Sequence, residues 1–475
     1  MKIYDYFQNN VLKNPNKTFL KSEKTSFKYF EVSNLVNNFE KNKFKGKFIT
    51  IIDKNSVFYF VLYILCSKIN KTLVTIDHNN NYKVIEKQIN EFKLNNIFCN
   101  NDIKKKLILS NPKLNFISNI KEGGLENNYK KYLKCRQFLL TFSSGSSSRP
   151  KPIILSEDTK ILRAKSNINV FKLKNKDSLI ISTPLHHTLA IRLMTIGIIL
   201  GSEIFYLEKY NLEIFLKCLK KTKSKFTYFV SNQLSEIVEN RKNLSRLKSL
   251  NCIVSSSSKL NLDVKTKLVK LFKKKIFEIY GLSEAAVVSN LDLKKNNRYT
   301  DSVGRAIPGV KIKIDYLKKK EFGEILIKSN YLCTGYYFNN KIKYLNKEKY
   351  FRTGDLGYLK NRFLYFKGRS KNMIKINGVS IFLDDIVNIL KVDQCVKDCI
   401  AIPIEREGNI NPRICLLFVK NIFDTNKIKK FCLKNLHVYQ IPTYYLKVDK
   451  IPKNKMNKLN MTEINKIITS KLNKN

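Results

Sequence analysis

The chain has 475 residues, 43% hydrophobic and 11% aromatic, ample for globular folding and too long for one ordinary core, so two or more domains are expected. A formal net charge of +51 would in principle suit nucleic acid or an anionic membrane. Lys far outnumbers Arg, Asn, Ile, Phe and Tyr are abundant, Gly stands at 16 and Trp is absent, the profile of AT-biased codon choice. No aromatic–basic pattern suited to RNA or single strands stands out, so the charge is expected to spread over solvated faces with no specific nucleic-acid partner.

The N-terminal MKIYDYFQNNVLKNPNK has no apolar core of signal-peptide length, and VFYFVLYILC and LMTIGIILG are too short to span a bilayer. The ten cysteines include no C-x-x-C pair, and the nearest neighbours, Cys395 and Cys399, lack companions at metal spacing. A reduced, soluble, cytoplasmic protein without a transmembrane segment is the expectation.

In chain order, KFITIID reads as a strand, SVFYFVLYILCSKI as a buried helix, TLVTID as a strand, YKVIEKQINEFKL as a helix and NIFCN as a strand. Next comes LLTFSSGSSSRPKPIILSEDT. An apolar strand (Leu139 to Phe142) breaks into the small residues Ser143, Ser144, Gly145, Ser146, Ser147 and Ser148, followed by Lys151 between two prolines. A flexible Ser/Gly loop is the plain reading. The adjoining strand and the rigid Pro-Lys-Pro favour a compact anion-binding turn instead, with backbone N–H groups, hydroxyls and a lysine converging on phosphate. A Walker loop is excluded, because Pro150 stands for its second glycine and Pro152 for its Ser/Thr.

The strands SLIISTP, SEIFYL, FTYFVS, NCIVSSSS and IFEIYG follow, separated by helix-length segments. This is the rhythm of an α/β fold with parallel sheets packed by helices. From about residue 301 the glycine-punctuated GVKIKID, GEILIKS and FLYFKG predict a small β-rich subdomain, about 301–368. The division drawn is 1–368 for the large N-terminal domain and 369–475 for a small, mobile α+β C-terminal domain ending in a Lys/Asn-rich tail.

Read together, these stretches resemble the adenylate-forming superfamily of acyl-CoA synthetases, luciferases and adenylation domains of nonribosomal peptide synthetases. SSGSSSRPK is similar to that family's S-S-G-T-T-G-x-P-K loop, STPLHHT to P-L-F-H, and IYGLSEAA to Y-G-x-T-E. DSVGRAIPGVKIKI and GEILIKSNYLCTGYY are similar to V-G-R-P-x-P-G and G-E-L-x-x-x-G-Y. FRTGDLG, GRSKNMIKINGVSI and PKNKMNK match the T-G-D, G-R-x-K-x-x-I-K-x-x-G and P-x-T-x-x-G-K stretches, all in order along the chain.

The resemblance implies an ATP-dependent ligase in which a carboxylate attacks the α-phosphate, giving acyl-AMP and pyrophosphate, after which a thiol takes the acyl group. Catalysis then rests on positioning and charge neutralisation. Ser143, Ser144, Gly145, Ser146, Ser147 and Lys151 would hold the β- and γ-phosphates. Tyr280 and Gly281 would flank adenine, Ser283 would reach the α-phosphate, and Glu284 would bind Mg²⁺. Asp355 would accept both ribose hydroxyls, and Arg369 would add a ribose or phosphate contact. Arg305 has two readings, a similar contact or a structural ion pair.

Lys458, six residues after Pro452, would reach the substrate carboxylate and α-phosphate during adenylation. Lys371 would be the hinge of the C-terminal domain, while Lys375 and Gly378 would face the site for thioester formation. His187 takes the histidine place near the acyl pocket, or is a packed core histidine. PLHHTL lacks the acid that would pair a substrate ammonium, which favours a fatty, aryl or small aliphatic acid over an amino acid. Ser148, Pro152 and Asn457 replace family glycines, Asn457 mildly because Asn tolerates positive φ.

The acceptor would be coenzyme A or the phosphopantetheine of an acyl carrier protein, whose usual acidity suits a basic surface. Rival readings are a non-catalytic nucleotide-binding relative acting as sensor or interaction module, an RNA-associated protein exploiting the charge, and an amino-acid-activating protein.

Overall fold

The computed structural model describes all residues except 81, 119–136, 143–150, 176, 317–320, 371–372, 377–378, 393–395, 405–411, 422–423, 455–458 and 473–475. The chain packs as two compact units. The first holds the described residues of Met1–Ser144, Pro150–Lys311 and Lys328–Lys349, the second those of Ile312–Ile327 and Tyr350–Asn475.

Three sheets organise the first unit. The largest has seven strands in the order Lys341–Tyr344, Gly335–Phe338, Pro152–Leu155, Leu139–Phe142, Thr72–Thr75, Phe48–Ile52, Ile97–Cys99. Its second half is parallel and its first half antiparallel. The change of direction falls at Leu139–Phe142 and Pro152–Leu155, whose link is too short for a parallel crossover. A five-stranded sheet repeats the arrangement. Tyr228–Val230, Cys252–Ser256 and Lys275–Leu282 are parallel, and Ala286–Asp292 and Arg305–Ala306 return antiparallel. The third sheet runs Ser26–Lys28, Thr18–Lys21, Ile204–Tyr206, Leu179–Ile181. The expected parallel sheets are therefore present, each extended by antiparallel strands.

Phe48–Ile52 (FITII) is buried at every position, as a strand covered on both faces must be. The helix Phe58–Ile69 is apolar all round and correspondingly buried. Its phenols find partners in the core: Tyr59 donates to Asp53 O at 3.0 Å, and Tyr63 shares a hydrogen with Thr195 Oγ1 at 2.7 Å. The helix stops at Asn70, which takes the left-handed conformation (φ 60°) that asparagine tolerates.

Part of the positive charge gathers on one solvated face. A groove of about 1090 Å³ is lined by Lys217, Lys220, Lys221, Lys223, Lys225 and Arg246, among others. Helix Leu212–Thr222 turns Phe215, Leu216 and Leu219 inward, and the i, i+3, i+4 spacing of Lys217, Lys220 and Lys221 then places all three on one outer face.

The second unit holds most of a four-stranded sheet made of Val310–Tyr316, Gly323–Ser329, Phe351–Lys360 and Phe363–Arg369. Met373–Ile376 and Val379–Phe382 make a hairpin, and Val396–Ile404, Arg413–Lys420 and Tyr444–Lys447 make a three-stranded sheet. Arg413–Lys420 shows why this region is layered. Ile414, Leu416 and Phe418 bury against residues of helices Leu383–Val392 and Thr425–Asn435, whereas Cys415 and Leu417 bury against helix Met461–Leu472. The period-two alternation gives each face its own core.

Eight cysteines among the described residues are free thiols. Among those residues no helix is long and apolar enough to cross a membrane.

Candidate active site

Strands Leu139–Phe142 and Pro152–Leu155 enter and leave the serine-rich loop as an antiparallel pair, with Phe142 opposite Pro152. Ser143, Ser144, Gly145, Ser146, Ser147 and Ser148 lie outside the described residues. Lys151, the first described residue beyond them, is exposed, and its ammonium sits 5.5 Å from the centre of the Tyr336 ring, a cation–π distance. Tyr336 comes there because Gly335–Phe338 pairs with Pro152–Leu155, placing Tyr336 opposite Ile153.

The second element is the end of strand Lys275–Leu282. Tyr280 is nearly buried and faces Ser289 across the ladder. A register shift between Tyr280 and Gly281 bends the strand as it leaves the sheet. Gly281 is required there: a Cβ would stand 1.9 Å from Ala286 O. Ser283 and Glu284 follow in a tight turn, closed by Ala285 N donating to Leu282 O at 3.1 Å, which returns the chain into Ala286–Asp292.

This turn is gripped from beneath. Arg163, on helix Glu157–Phe171, is 2% exposed and spends its guanidinium on three backbone carbonyls. Nη1 donates to Ser283 O at 3.1 Å, Nη2 to Glu284 O at 2.6 Å and Nε to Tyr331 O at 2.8 Å. Cys333 N also donates to Glu284 O, at 2.6 Å. With its carbonyl doubly held, Glu284 turns a half-buried carboxylate outward, and Tyr336 Oη donates to its Oε1 at 3.1 Å. Burial, and then the Glu284 charge, push the Tyr336 hydroxyl well up, so the phenol stays protonated as the donor. Glu284 Oε2 makes no hydrogen bond to a described residue, which fits a hard, oxygen-seeking cation.

His187 is half-buried at the N-cap of helix Thr188–Leu200, without a side-chain cap bond, its ring 4.3 Å from that of His186. Arg305 is exposed on its short strand, opposite Asn290.

The remaining described candidates belong to the second unit. Asp355 and Arg369 face each other across the ladder of Phe351–Lys360 and Phe363–Arg369. Asp355 is 3% exposed, and Arg369 Nε lies 3.2 Å from its Oδ1. The approach to Asp355 is shaped by Gly354 at φ +72°, whose N donates to Glu324 Oε1 at 3.0 Å, and by Thr353 Oγ1, which accepts from Asp355 N at 3.1 Å. Lys375 lies in strand Met373–Ile376, opposite Ser380. Lys371, Gly378, Asn457 and Lys458 lie outside the described residues. Among the described residues on either side, Lys453 and Leu459 form a bridge and Asn460 N donates to Pro452 O at 2.9 Å. Lys453 Nζ is bound to Asp398.

Within the first unit, then, Lys151 and Glu284 meet on Tyr336, with Ser283 in the same turn. Sequence reasoning assigned nothing to Tyr336 or Arg163. Arg163 carried a usable signal, an arginine kept in a chain where Lys far outnumbers Arg. Tyr336 sat inside the quoted CTGYY but without a partner in view.

The profile of the family described as AMP-binding enzyme matches residues 7–337. The provisionally named long chain fatty acid-CoA ligase VraA of Staphylococcus aureus (strain COL) is 28% identical over 334 residues, covering 66% of this chain and 69% of that protein. A 2-succinylbenzoate–CoA ligase of Listeria monocytogenes is 22% identical over 479 residues, covering 97% and 98%. Among solved structures, o-succinylbenzoate CoA synthetase (MenE) from Bacillus subtilis, in complex with the acyl-adenylate intermediate OSB-AMP, superposes with a TM-score of 0.85 at 18% identity over 97% of both chains. That likeness is one of fold.

Proposed function

We infer that this chain, which belongs to the AMP-binding enzyme family, is an ATP-dependent carboxylate ligase that makes an acyl-adenylate and then an acyl thioester. The observation that carries the reading is the turn Ser283–Glu284, locked by Arg163 so that one carboxylate faces outward beside Tyr336 and Lys151.

ATP and a carboxylic acid are the first substrates. Lys151, with Ser143, Ser144, Gly145, Ser146 and Ser147, holds the β- and γ-phosphates as a point charge beside hydroxyl and N–H donors. Glu284, with its Oε1 fixed by Tyr336, would hold Mg²⁺. When bound, Mg²⁺ supplies neutralisation of phosphate charge. Tyr280 and Gly281 flank adenine, and the Ser283 hydroxyl is left for the α-phosphate. Asp355 takes the ribose hydroxyls, with Arg369 limiting how its carboxylate can turn. Lys458 brings a positive charge to the carboxylate and α-phosphate, which otherwise repel each other. In the second step Lys371 serves as hinge, and Lys375 and Gly378 serve thioester formation. The domain boundary is placed at 368–369.

The acid is a fatty, aryl or small non-amino acid. PLHHTL has no acidic side chain to pair with an ammonium, and the relatives are named for long chain fatty and 2-succinylbenzoate substrates. The relatives' names also favour coenzyme A over a carrier protein as the acceptor. The free thiols are in keeping with a reducing, cytoplasmic setting.

The test is ATP–pyrophosphate exchange across a panel of carboxylic acids, followed by thioester formation with coenzyme A and with a phosphopantetheinylated carrier. Exchange dependent on a non-amino acid supports the ligase. Nucleotide binding without exchange for any acid would point to the sensor reading, and exchange only with amino acids would overturn the substrate class.

A further inference from the structure

Outside the nucleotide assignments, the first unit brings two histidines to a single carboxylate. Asp77 and His78 come one residue, Ile76, after the carboxyl end of the buried strand Thr72–Thr75. His186 belongs to the turn before helix Thr188–Leu200. Thr75 Oγ1 donates to His186 O at 3.0 Å, pinning that turn to the strand's exit. The His186 side chain is 7% exposed, with Nε2 3.6 Å from Asp77 Oδ2. His78 Nδ1 stands 3.8 Å from the other carboxylate oxygen, Oδ1.

These two spacings exceed the roughly 2.7–3.2 Å of an N–H···O hydrogen bond. They are close to what a shared ion requires: two ligands each about 2.0–2.2 Å from Zn²⁺ in tetrahedral geometry stand about 3.4 Å apart. All three ligand atoms lie within 4.8 Å of one another. The Asn79 side-chain amide donates to Asp77 Oδ1 at 2.6 Å, and Asn79 N to the same oxygen at 3.0 Å, orienting the carboxylate as outer donors orient a metal ligand. The same amide lies 3.4 Å from His78 Nδ1.

We propose that Asp77, His78 and His186 form a site for one divalent transition-metal ion of the Zn²⁺ type, using ligands that take no part in holding the nucleotide. Two imidazoles and a carboxylate are a donor set suited to such an ion and poor for Mg²⁺, which prefers oxygens throughout. Asp77 and His78 are 27% and 23% exposed, so solvent can reach the cluster from their side, whereas His186 is 7% exposed. The ion would clamp the exit of strand Thr72–Thr75 to the start of helix Thr188–Leu200.

The experiment uses the full chain stripped with chelator at pH 7.5. Zn²⁺ binding is followed by calorimetry, and Co²⁺ binding by visible absorption. One ion per chain is expected, with tetrahedral Co²⁺ bands and no thiolate charge-transfer band. Losing an outer-shell partner of a metal ligand typically costs 10–100-fold in affinity, so loss of a ligand in His78→Ala should cost at least about that much. His78 is partly exposed, so this variant keeps its fold; Asp77→Asn and His186→Gln should weaken binding in parallel. Absence of stoichiometric Zn²⁺ binding, a Co²⁺ spectrum with thiolate bands, or affinity unchanged in His78→Ala would overturn the proposal.

Discussion

Tyr336 Oη donates to Glu284 Oε1 at 3.1 Å, joining a strand of the seven-stranded sheet to the turn that ends a strand of the five-stranded one. The bond aims the carboxylate, and the same ring carries the Lys151 ammonium on its face. In Tyr336→Phe the ring and its cation–π contact remain while the hydrogen bond goes. A bond to a charged group is worth about 1.5–3 kcal/mol, so acid-dependent exchange at low MgATP should fall roughly ten- to a hundredfold. The melting temperature should hardly move. Unchanged exchange would mean that Glu284 needs no aiming.

Arg163 should behave differently. Arg163→Met would take the side-chain donor from the carbonyls of Ser283 and Tyr331, at about 1–3 kcal/mol for each group left unpaired, and would leave Glu284 O with Cys333 N alone. Thermal unfolding should drop by several degrees, and exchange should be lost with it. Arg163→Lys should rescue little, since one ammonium cannot serve three carbonyls fixed in a planar fork. Full activity in Arg163→Lys would show that the turn holds without the clamp.

The buried Asp355 carboxylate predicts discrimination at the sugar. With 2′-deoxy-ATP one partner disappears, and use of the nucleotide should fall roughly tenfold to more than a hundredfold, matching about 1.5–3 kcal/mol. Comparing kcat/KM for the two nucleotides decides it. Equal values would remove Asp355 from the ribose assignment.

Lys458→Ala tests the two half-reactions separately. Loss of one well-placed charge typically costs about 10²–10³ in rate, so adenylation should collapse on that scale. Thioester formation from supplied acyl-AMP should persist. Equal slowing of both halves would assign Lys458 to a single fixed site used throughout.

Asp398 ties pH to the stability of the second unit. Burial alone would raise its carboxyl, but hydrogen bonds from Lys391, at 2.6 Å, and from Lys453 outweigh it and hold the group below the ordinary range. The folded value lies under the unfolded one, near 3.9, so this contribution is complete above the unfolded value and fades as pH falls through the folded one. Asp398→Asn should therefore melt a few degrees lower than wild type at pH 7, with the gap narrowing toward pH 3. A gap independent of pH would show a packing effect.

Much of this protein was decided locally. Phe48–Ile52 and Phe58–Ile69 are readable because period and burial coincide, a fully covered strand and a fully covered helix leaving no polar face to misplace. Tyr280, Gly281, Ser283, Glu284 and Lys151 were nameable from short contiguous motifs, and Gly281 has a local reason to be glycine. Tertiary structure alone decided which distant groups meet. Tyr336 reaches Glu284 because Gly335–Phe338 inserts beside Pro152–Leu155, a pairing between residues far apart in the chain. Arg163 reaches the same turn from helix Glu157–Phe171, which buries Glu157, Lys160 and Asn167 as well, polar positions that no apolar period marks as inward. Burial of Phe215, Leu216 and Leu219 set which way helix Leu212–Thr222 turned, and so gathered its lysines on one solvated face. Asp77, His78 and His186 share no motif. Periodicity encodes which face of an element is buried, whereas the partner across that face follows from long-range packing, which a single local stretch does not carry.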